Sequence, residues 1–247
     1  MAKKILEVVG LYKYFGGLAA VSGLDFYLEE GEILGLIGPN GSGKTTVFNL
    51  IAGSLKPDRG KIYFYDKDIS AKSPATICQM GIGRTFQIPL PFSRLTVLEN
   101  VRLARLYGSQ PARTLKDAEY EADEILEFIG LKSKRTNISG NLTILDRKRL
   151  ELGKALATRP KLLLLDEILG GLTPREIEDA MELIKAIKAT GVTMIIVEHV
   201  MKAIIGISDR VIVLNSGIKI AEGPPKKVIL EDSVIEAYLG KGKYVKN

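Results

Sequence analysis

Gly38-Pro-Asn-Gly-Ser-Gly-Lys-Thr45 decides the fold. It matches the pattern G-x-x-x-x-G-K-[ST] in full, and its neighbours supply the context the pattern requires. Before it, Ile33-Leu-Gly-Leu-Ile37 is a short apolar run that reads as a buried strand; after it, Lys44 to Ala52 reads as a helix. In such a strand–loop–helix the glycines let consecutive backbone N–H groups curl around phosphate oxygens, and the helix aims its positive end at them. Gly38, Pro39, Asn40, Gly41, Ser42, Gly43, Lys44, Thr45 and Thr46 are therefore expected to hold a nucleoside triphosphate, ATP first. Lys44 suits the β- and γ-phosphates, and the Thr45 hydroxyl suits Mg²⁺.

Working outward, the same alternation of apolar runs and helical patterns continues, as an α/β protein requires. Leu162 to Leu165 and Met194 to Val197 are two more buried strands, each followed by charged residues, Asp166-Glu167 and Glu198-His199. Carboxylates delivered at the C-terminal end of a buried strand stand where ligands gather in open parallel sheets. Asp166 is thus a candidate for the Mg²⁺ shell, and Glu167 for polarising the water that attacks the γ-phosphate. Leu142 to Thr158 and Pro174 to Ala189 read as the flanking helices, and Ile5 to Val9, Lys61 to Tyr65, Arg210 to Leu214 and Ile218 to Ala221 as edge strands. The stretch from Pro89 to Gly140 differs: its patterns are helical (Thr96 to Leu106, Thr114 to Ile129) and it holds no evident buried strand. One domain over 1–247 is expected, with a core lobe from 1–88 and 141–247 and a helical subdomain at 89–140. A short helix over Val234 to Leu239 should return to the core, and the tail from Lys241 to Asn247 should fray.

Composition narrows the class. The 247 residues are 46% hydrophobic and 26% charged, which excludes wholesale disorder. No run approaches the ~18 apolar residues of a membrane span. Glu7 interrupts the opening residues, so no secretion signal is expected, and the reading is a soluble, intracellular protein. A single cysteine, Cys78, excludes an internal disulfide, and a single histidine, His199, excludes a His-rich metal centre. Thirty-five basic against 29 acidic residues give a net charge of +6, which suits an anionic partner but equally suits ordinary solubility.

In their order along the chain, Lys44, the glutamine of Gly83-Arg-Thr-Phe-Gln87, a helical lobe, Asp166-Glu167 and His199 resemble the ATP-binding subunit of an ABC transporter, over nearly the whole chain. Tyr14-Phe-Gly-Gly-Leu-Ala-Ala-Val21, Leu95-Thr-Val-Leu-Glu-Asn100, Leu150-Glu-Leu and Val234-Ile-Glu-Ala-Tyr-Leu239 narrow the resemblance to subunits that power branched-chain amino-acid importers. The expected fold is a P-loop NTPase core of ABC ATPase type with an inserted helical subdomain and an antiparallel β edge. The resemblance implies that Phe15, or alternatively Tyr12, stacks on adenine. It implies that Gln87 touches Mg²⁺ and the attacking water, and that His199 hydrogen-bonds the γ-phosphate. It also implies transmembrane permease subunits, a related ATP-binding subunit in a head-to-tail dimer, indirectly a substrate-binding protein, and a place at the cytoplasmic face of the membrane. Pro89-Leu-Pro-Phe92 is suited to shaping a docking groove for the permease. A soluble ABC-type ATPase acting on nucleic acid or ribosomes is the alternative, and a catalytically weak regulatory ATP-binding module a third reading. The chain shows no aromatic-interleaved basic patch, so no nucleic acid is expected.

The sequence departs from the family mildly at Ile168, where proline is usual, and at Thr173, and most in one loop. Where members carry a Leu-Ser-Gly-Gly-Gln motif that binds the opposite subunit's ATP, spacing to Asp166 places Leu142-Thr-Ile-Leu-Asp146. Ile138-Ser-Gly-Asn141 lies too early to serve. Thr143 keeps a hydroxyl and pairs with Asp146 as a helix cap. Leu145 replaces a glycine that allows close backbone approach to phosphate. Its side chain and the Asp146 charge are expected to oppose an arriving γ-phosphate, with Arg147 offsetting part of that. Losing one aimed donor costs about 2.7–4 kcal/mol, or roughly 10²–10³-fold in rate. A heterodimer with a second, intact subunit follows as an expectation.

Overall fold

The computed structural model describes residues 3–239. Its strands are, in chain order, β1 (Lys4–Phe15), β2 (Leu18–Glu29), β3 (Ile33–Ile37), β4 (Arg59–Phe64), β5 (Lys67–Asp68), β6 (Ile82–Arg84), β7 (Leu162–Asp166), β8 (Thr193–Val197), β9 (Arg210–Asn215) and β10 (Ile218–Gly223). Its α-helices are α1 (Lys44–Ile51), α2 (Pro74–Met80), α3 (Val97–Arg105), α4 (Leu115–Phe128), α5 (Ile144–Ala157), α6 (Pro174–Ala189), α7 (Met201–Ile207), α8 (Pro225–Val228) and α9 (Asp232–Leu239). The described residues fall into two compact units, one running up to Ser73 and resuming at Thr193, the other spanning Pro74–Val192.

In the first unit β3 lies parallel to both β8 and β9, and every residue of β3 and β8 is buried. Burial on both faces explains why these strands read as continuous apolar runs with no alternation. β10 pairs antiparallel with β9. A second sheet, in the order β2-β1-β4-β5, is antiparallel throughout and supplies the expected β edge. Along β2 the alternation is plain: Leu24, Phe26 and Leu28 are buried, while Asp25 and Tyr27 are exposed. α9 returns to pack on β10 with Val234 buried, as anticipated for the C-terminal helix. The tail from Lys241 to Asn247 lies outside the described residues.

In the second unit β6 and β7 form a parallel pair. No β-strand occurs between Pro89 and Gly140, in keeping with the helical reading of that stretch. α3, α4 and α5 share one core, in which Val97, Val101, Leu126 and Leu150 are fully buried. Threonine side chains start these helices and α6: Thr96, Thr114, Thr143 and Thr173 each accept a hydrogen bond from a backbone N–H one turn on. Thr96 and Thr173 complete capping boxes with Glu99 and Glu176. Asn100, fully buried on α3, ties the segment before it to the lobe: its side-chain amide accepts from Phe92 N (2.8 Å) and donates to Thr96 O (2.9 Å) and Ser139 Oγ (3.2 Å).

Candidate nucleotide site

The phosphate loop belongs to the first unit and leaves the C-terminal end of β3. Two of its glycines are dictated by space. A Cβ on Gly38 (φ 147°) would lie 2.1 Å from the Leu214 carbonyl oxygen, and one on Gly43 (φ 105°) would lie 2.4 Å from that of Ala20. Only glycine fits either position, so the loop is held closed against the backbone of β2 and β9. Lys44 is buried and curls over its own loop, donating from Nζ to Gly38 O (2.8 Å) and Pro39 O (2.9 Å). An ammonium satisfied by two carbonyls can exchange them for phosphate oxygens without first being stripped of water. Asn40, Gly41 and Thr45 are exposed, Pro39 and Thr46 half-buried, and Ser42 buried.

The parallel register Gly35↔Ile196 brings the C-terminal ends of β3 and β8 to one edge of the sheet. His199, two residues beyond β8, is exposed at that edge. Phe15 ends β1 with 49% of its surface exposed, whereas Phe26 is buried, so Phe15 is not a core partner of Phe26. Lys13 Nζ lies 5.9 Å from the Phe15 ring centroid. Tyr12, the alternative for adenine, is already stacked on Tyr14 at 6.2 Å. The C-terminal helix also reaches the loop. Burial pushes the Tyr238 phenol up, and the Gly38 N–H donating to its oxygen opposes that shift.

The acidic pair belongs to the second unit. Asp166 is 3% exposed at the end of β7, with Arg84 Nη2 3.1 Å from its Oδ2. The Asp166 N–H donates to Thr85 Oγ1 (3.1 Å), and Thr85 N donates to Leu164 O (2.9 Å), so the residues after β6 fix the carboxylate's backbone. Glu167 adopts φ 49°, in the left-handed region that a non-glycine L residue enters only at a cost. Gln87 Nε2 donates to Glu167 Oε2 at 2.6 Å. From the other side Lys148 Nζ, on α5, donates to the carbonyls of Glu167 (3.2 Å) and Ile168 (3.1 Å). Gln87 and Glu167, far apart in sequence, are therefore brought together. Arg84, Thr85 and Lys148 were not singled out by sequence. Arg84 and Thr85 lie inside the Gly83–Gln87 stretch that drew attention to Gln87, and Lys148 inside an Arg-Lys-Arg cluster that reads as solvated charge.

The loop before α5 corrects part of the sequence reading. Thr143 caps the helix, accepting from Asp146 N at 3.2 Å and donating to Asp146 Oδ2 at 2.8 Å. Asp146 is 5% exposed and ion-paired with Lys134 Nζ at 2.5 Å, so its charge is compensated internally and does not face outward against a phosphate. Arg147 donates from Nη2 to Gly140 O (2.7 Å) and is engaged with its own loop. Leu145 turns inward as well: half-buried, it lines a small apolar cavity with Leu152, Ile168, Leu172 and Leu183. Of the repulsive contributions expected here, only the missing glycine remains.

Among the described residues, no group of three His, Cys, Asp or Glu side chains could hold a metal ion by itself. In the first unit Thr45 offers a hydroxyl, and in the second Gln87 offers an amide oxygen and Asp166 a carboxylate, the kinds of oxygen donor that Mg²⁺ takes alongside phosphates and water. No described helix is long and apolar enough to cross a membrane.

Comparison with known proteins bears on the family and the fold. A family model described as ABC transporter matches residues 21–170. The high-affinity branched-chain amino acid transport ATP-binding protein LivG of Salmonella typhimurium is 39% identical, covering 98% of this chain and 100% of its own length. The probable LivG of Methanocaldococcus jannaschii is 36% identical, covering 96% and 98%. Among solved structures, a nucleotide-free ATP-binding cassette from an ABC transporter superposes with a TM-score of 0.88 at 35% identity, covering 97% of this chain and 100% of that one. An ABC transporter cassette in its ADP conformation gives 0.86 at 34%, covering 97% and 100%. A dimeric bacterial ABC transporter cassette gives 0.81 at 26%, covering 90% and 99%.

Proposed function

The chain belongs to the ABC transporter family, and on that premise we propose that it is the ATP-hydrolysing subunit of an importer for branched-chain amino acids. The relatives named for that transport match it end to end. The observation that carries the hydrolytic half of the reading is the 2.6 Å hydrogen bond from Gln87 to Glu167, which orients a carboxylate at the end of β7.

Each residue then has a task. The backbone N–H groups from Asn40 to Thr46 cradle the phosphates, and Lys44 exchanges the carbonyls of Gly38 and Pro39 for the β- and γ-oxygens. Phe15 stacks on adenine, and His199 donates to the γ-phosphate. Glu167 accepts a proton from the attacking water as its oxygen bonds to the γ-phosphorus and the bond to the β–γ bridging oxygen breaks, releasing ADP. Gln87 holds that carboxylate and orients the water. Thr45, Gln87 and Asp166 would hold Mg²⁺, which when bound would supply charge neutralisation at the β- and γ-phosphates.

The partners follow from the same reading. Phe86, Ile88, Leu90 and Phe92 are exposed in the segment around Gln87 and offer apolar surface suited to a permease, with Asn100 anchoring the segment at Phe92. The dimeric cassette at 26% identity supports a dimer, and the head-to-tail arrangement is part of our proposal. We assign Thr143 to the partner's nucleotide and, because Leu145 replaces a glycine, favour a heterodimer with a related subunit. Such a complex would sit on the cytoplasmic face of the membrane and receive its amino acid indirectly from a substrate-binding protein.

Turnover of MgATP by the full chain, compared with Lys44→Ala and Glu167→Gln, tests the reading. Loss of nucleotide binding in the first variant and loss of turnover with binding retained in the second are expected. Undiminished turnover in Glu167→Gln would refute it.

A further inference from the structure

We propose that Lys148 is a positioning residue for Glu167, transmitting the state of the helix capped by Thr143 to the hydrolytic carboxylate. The proposal rests on the reading of Glu167 given above. Glu167 is held at both ends: Gln87 fixes its carboxylate at 2.6 Å, and Lys148 Nζ fixes its backbone through the carbonyls of Glu167 and Ile168 at 3.2 and 3.1 Å. The backbone end needs holding, because Glu167 sits at φ 49°, where a non-glycine residue persists only if its surroundings impose it. A charged donor shared by two successive carbonyls is such a constraint, and stronger than a neutral one. Lys148 stands on the second turn of α5, whose first turn is Ile144 to Arg147, the loop end assigned above to a neighbouring subunit's nucleotide. A displacement of that helix end therefore moves Lys148 Nζ, and with it the turn that aims Glu167. Nothing of this is legible in the sequence, where Lys148 is the middle of three basic residues.

Single-turnover hydrolysis, with the full chain in excess over MgATP so that slow rates are still read, distinguishes the outcomes. Lys148→Met should lower the rate about 10- to 100-fold, with affinity for a fluorescent ATP analogue unchanged and the protein still folded by thermal melting. Lys148→Arg, which keeps a cationic donor, should recover most of the loss. Lys148→Met added to Glu167→Gln should cost nothing further, since both act on one group. If Glu167→Gln abolishes hydrolysis while Lys148→Met leaves it intact, the proposal is overturned. An additive loss in the double variant, or a parallel loss of nucleotide affinity, overturns it equally. If Glu167→Gln itself hydrolyses normally, the underlying assignment of Glu167 fails instead.

Discussion

Arg84 and Asp166 form an ion pair at 3.1 Å, with only 12% and 4% of their side chains exposed. Asp166 is the carboxylate assigned to Mg²⁺, and its charge is balanced by a guanidinium from the end of β6. Arg84 also lies 5.2 Å from the Phe86 ring centroid, in the segment leading to Gln87. A cation arriving with ATP must share or displace that balance. Arg84→Met should therefore bind Mn²⁺–ATP more tightly, by about tenfold in electron paramagnetic resonance titrations. The ligand-free protein should lose about 1.5–3 kcal/mol of stability, the scale for a hydrogen bond to a charged group. Weaker Mn²⁺ binding in Arg84→Met would show that the arginine assists the metal site.

Leu145 separates two effects that the sequence alone confounds. Its inward side chain predicts that Leu145→Gly destabilises the chain by about 2–3 kcal/mol, combining a partly buried leucine with the helix penalty of glycine. Its position in the loop predicts a gain in turnover for the chain acting with itself, because a glycine restores close backbone approach. Chemical denaturation and steady-state hydrolysis on the same preparation read both. A stable variant with unchanged turnover would remove the case for an asymmetric dimer.

Phe15 offers a cleaner substitution. With half its surface exposed and no core partner, Phe15→Ala should leave the melting temperature within a degree or two. Loss of base stacking should weaken ATP by about 1–3 kcal/mol, and Phe15→Trp should retain binding. Tyr12→Ala, by contrast, should act mainly on stability through its stack with Tyr14. An unchanged ATP affinity in Phe15→Ala would shift the adenine site elsewhere.

Most of the fold was legible because its strongest signals are local. The phosphate loop, the two buried strands that end in acids or histidine, and α6, whose span Pro174–Ala189 matches its expected bounds, are each contained in one run of residues. What escaped is non-local or irregular. β1 runs to Phe15 rather than Val9, because register shifts after Val8 break the alternation that would reveal it. β2 was missed although its second half alternates, since Ser22 and Gly23 interrupt it, and β6 is three residues long. At the site, residue types were readable and pairings were not. That Asp146 is neutralised by Lys134, or Asp166 by Arg84, depends on which turn folds against which strand end. Sequence therefore overestimated the repulsion in the Leu142–Asp146 loop.

The helical lobe carries its own electrostatic clasp, and this gives a pH dependence of definite sign. Arg105, 2% exposed at the end of α3, donates from Nε to Glu121 of α4, and Arg159, in the turn between α5 and β7, donates to the same carboxylate oxygen at 2.6 Å. The Arg105 hydrogen bond, followed by the charges of Arg105 and Arg159, holds the Glu121 carboxyl below the usual glutamate range. A carboxyl depressed in the folded state binds fewer protons there than in the unfolded chain, so it stabilises above the unfolded value of about 4.3 and loses that contribution as pH falls through the folded value. Glu121→Gln should thus cost about 1.5–3 kcal/mol at pH 7, and the gap to wild type should close as pH drops below about 4. Urea denaturation at pH 7, 5 and 3.5 measures it. Arg159→Ala should reproduce part of the loss and add little to Glu121→Gln, because both remove the same bond. A gap between wild type and Glu121→Gln that stays constant with pH would mean that the carboxylate's charge contributes nothing and that only its packing matters.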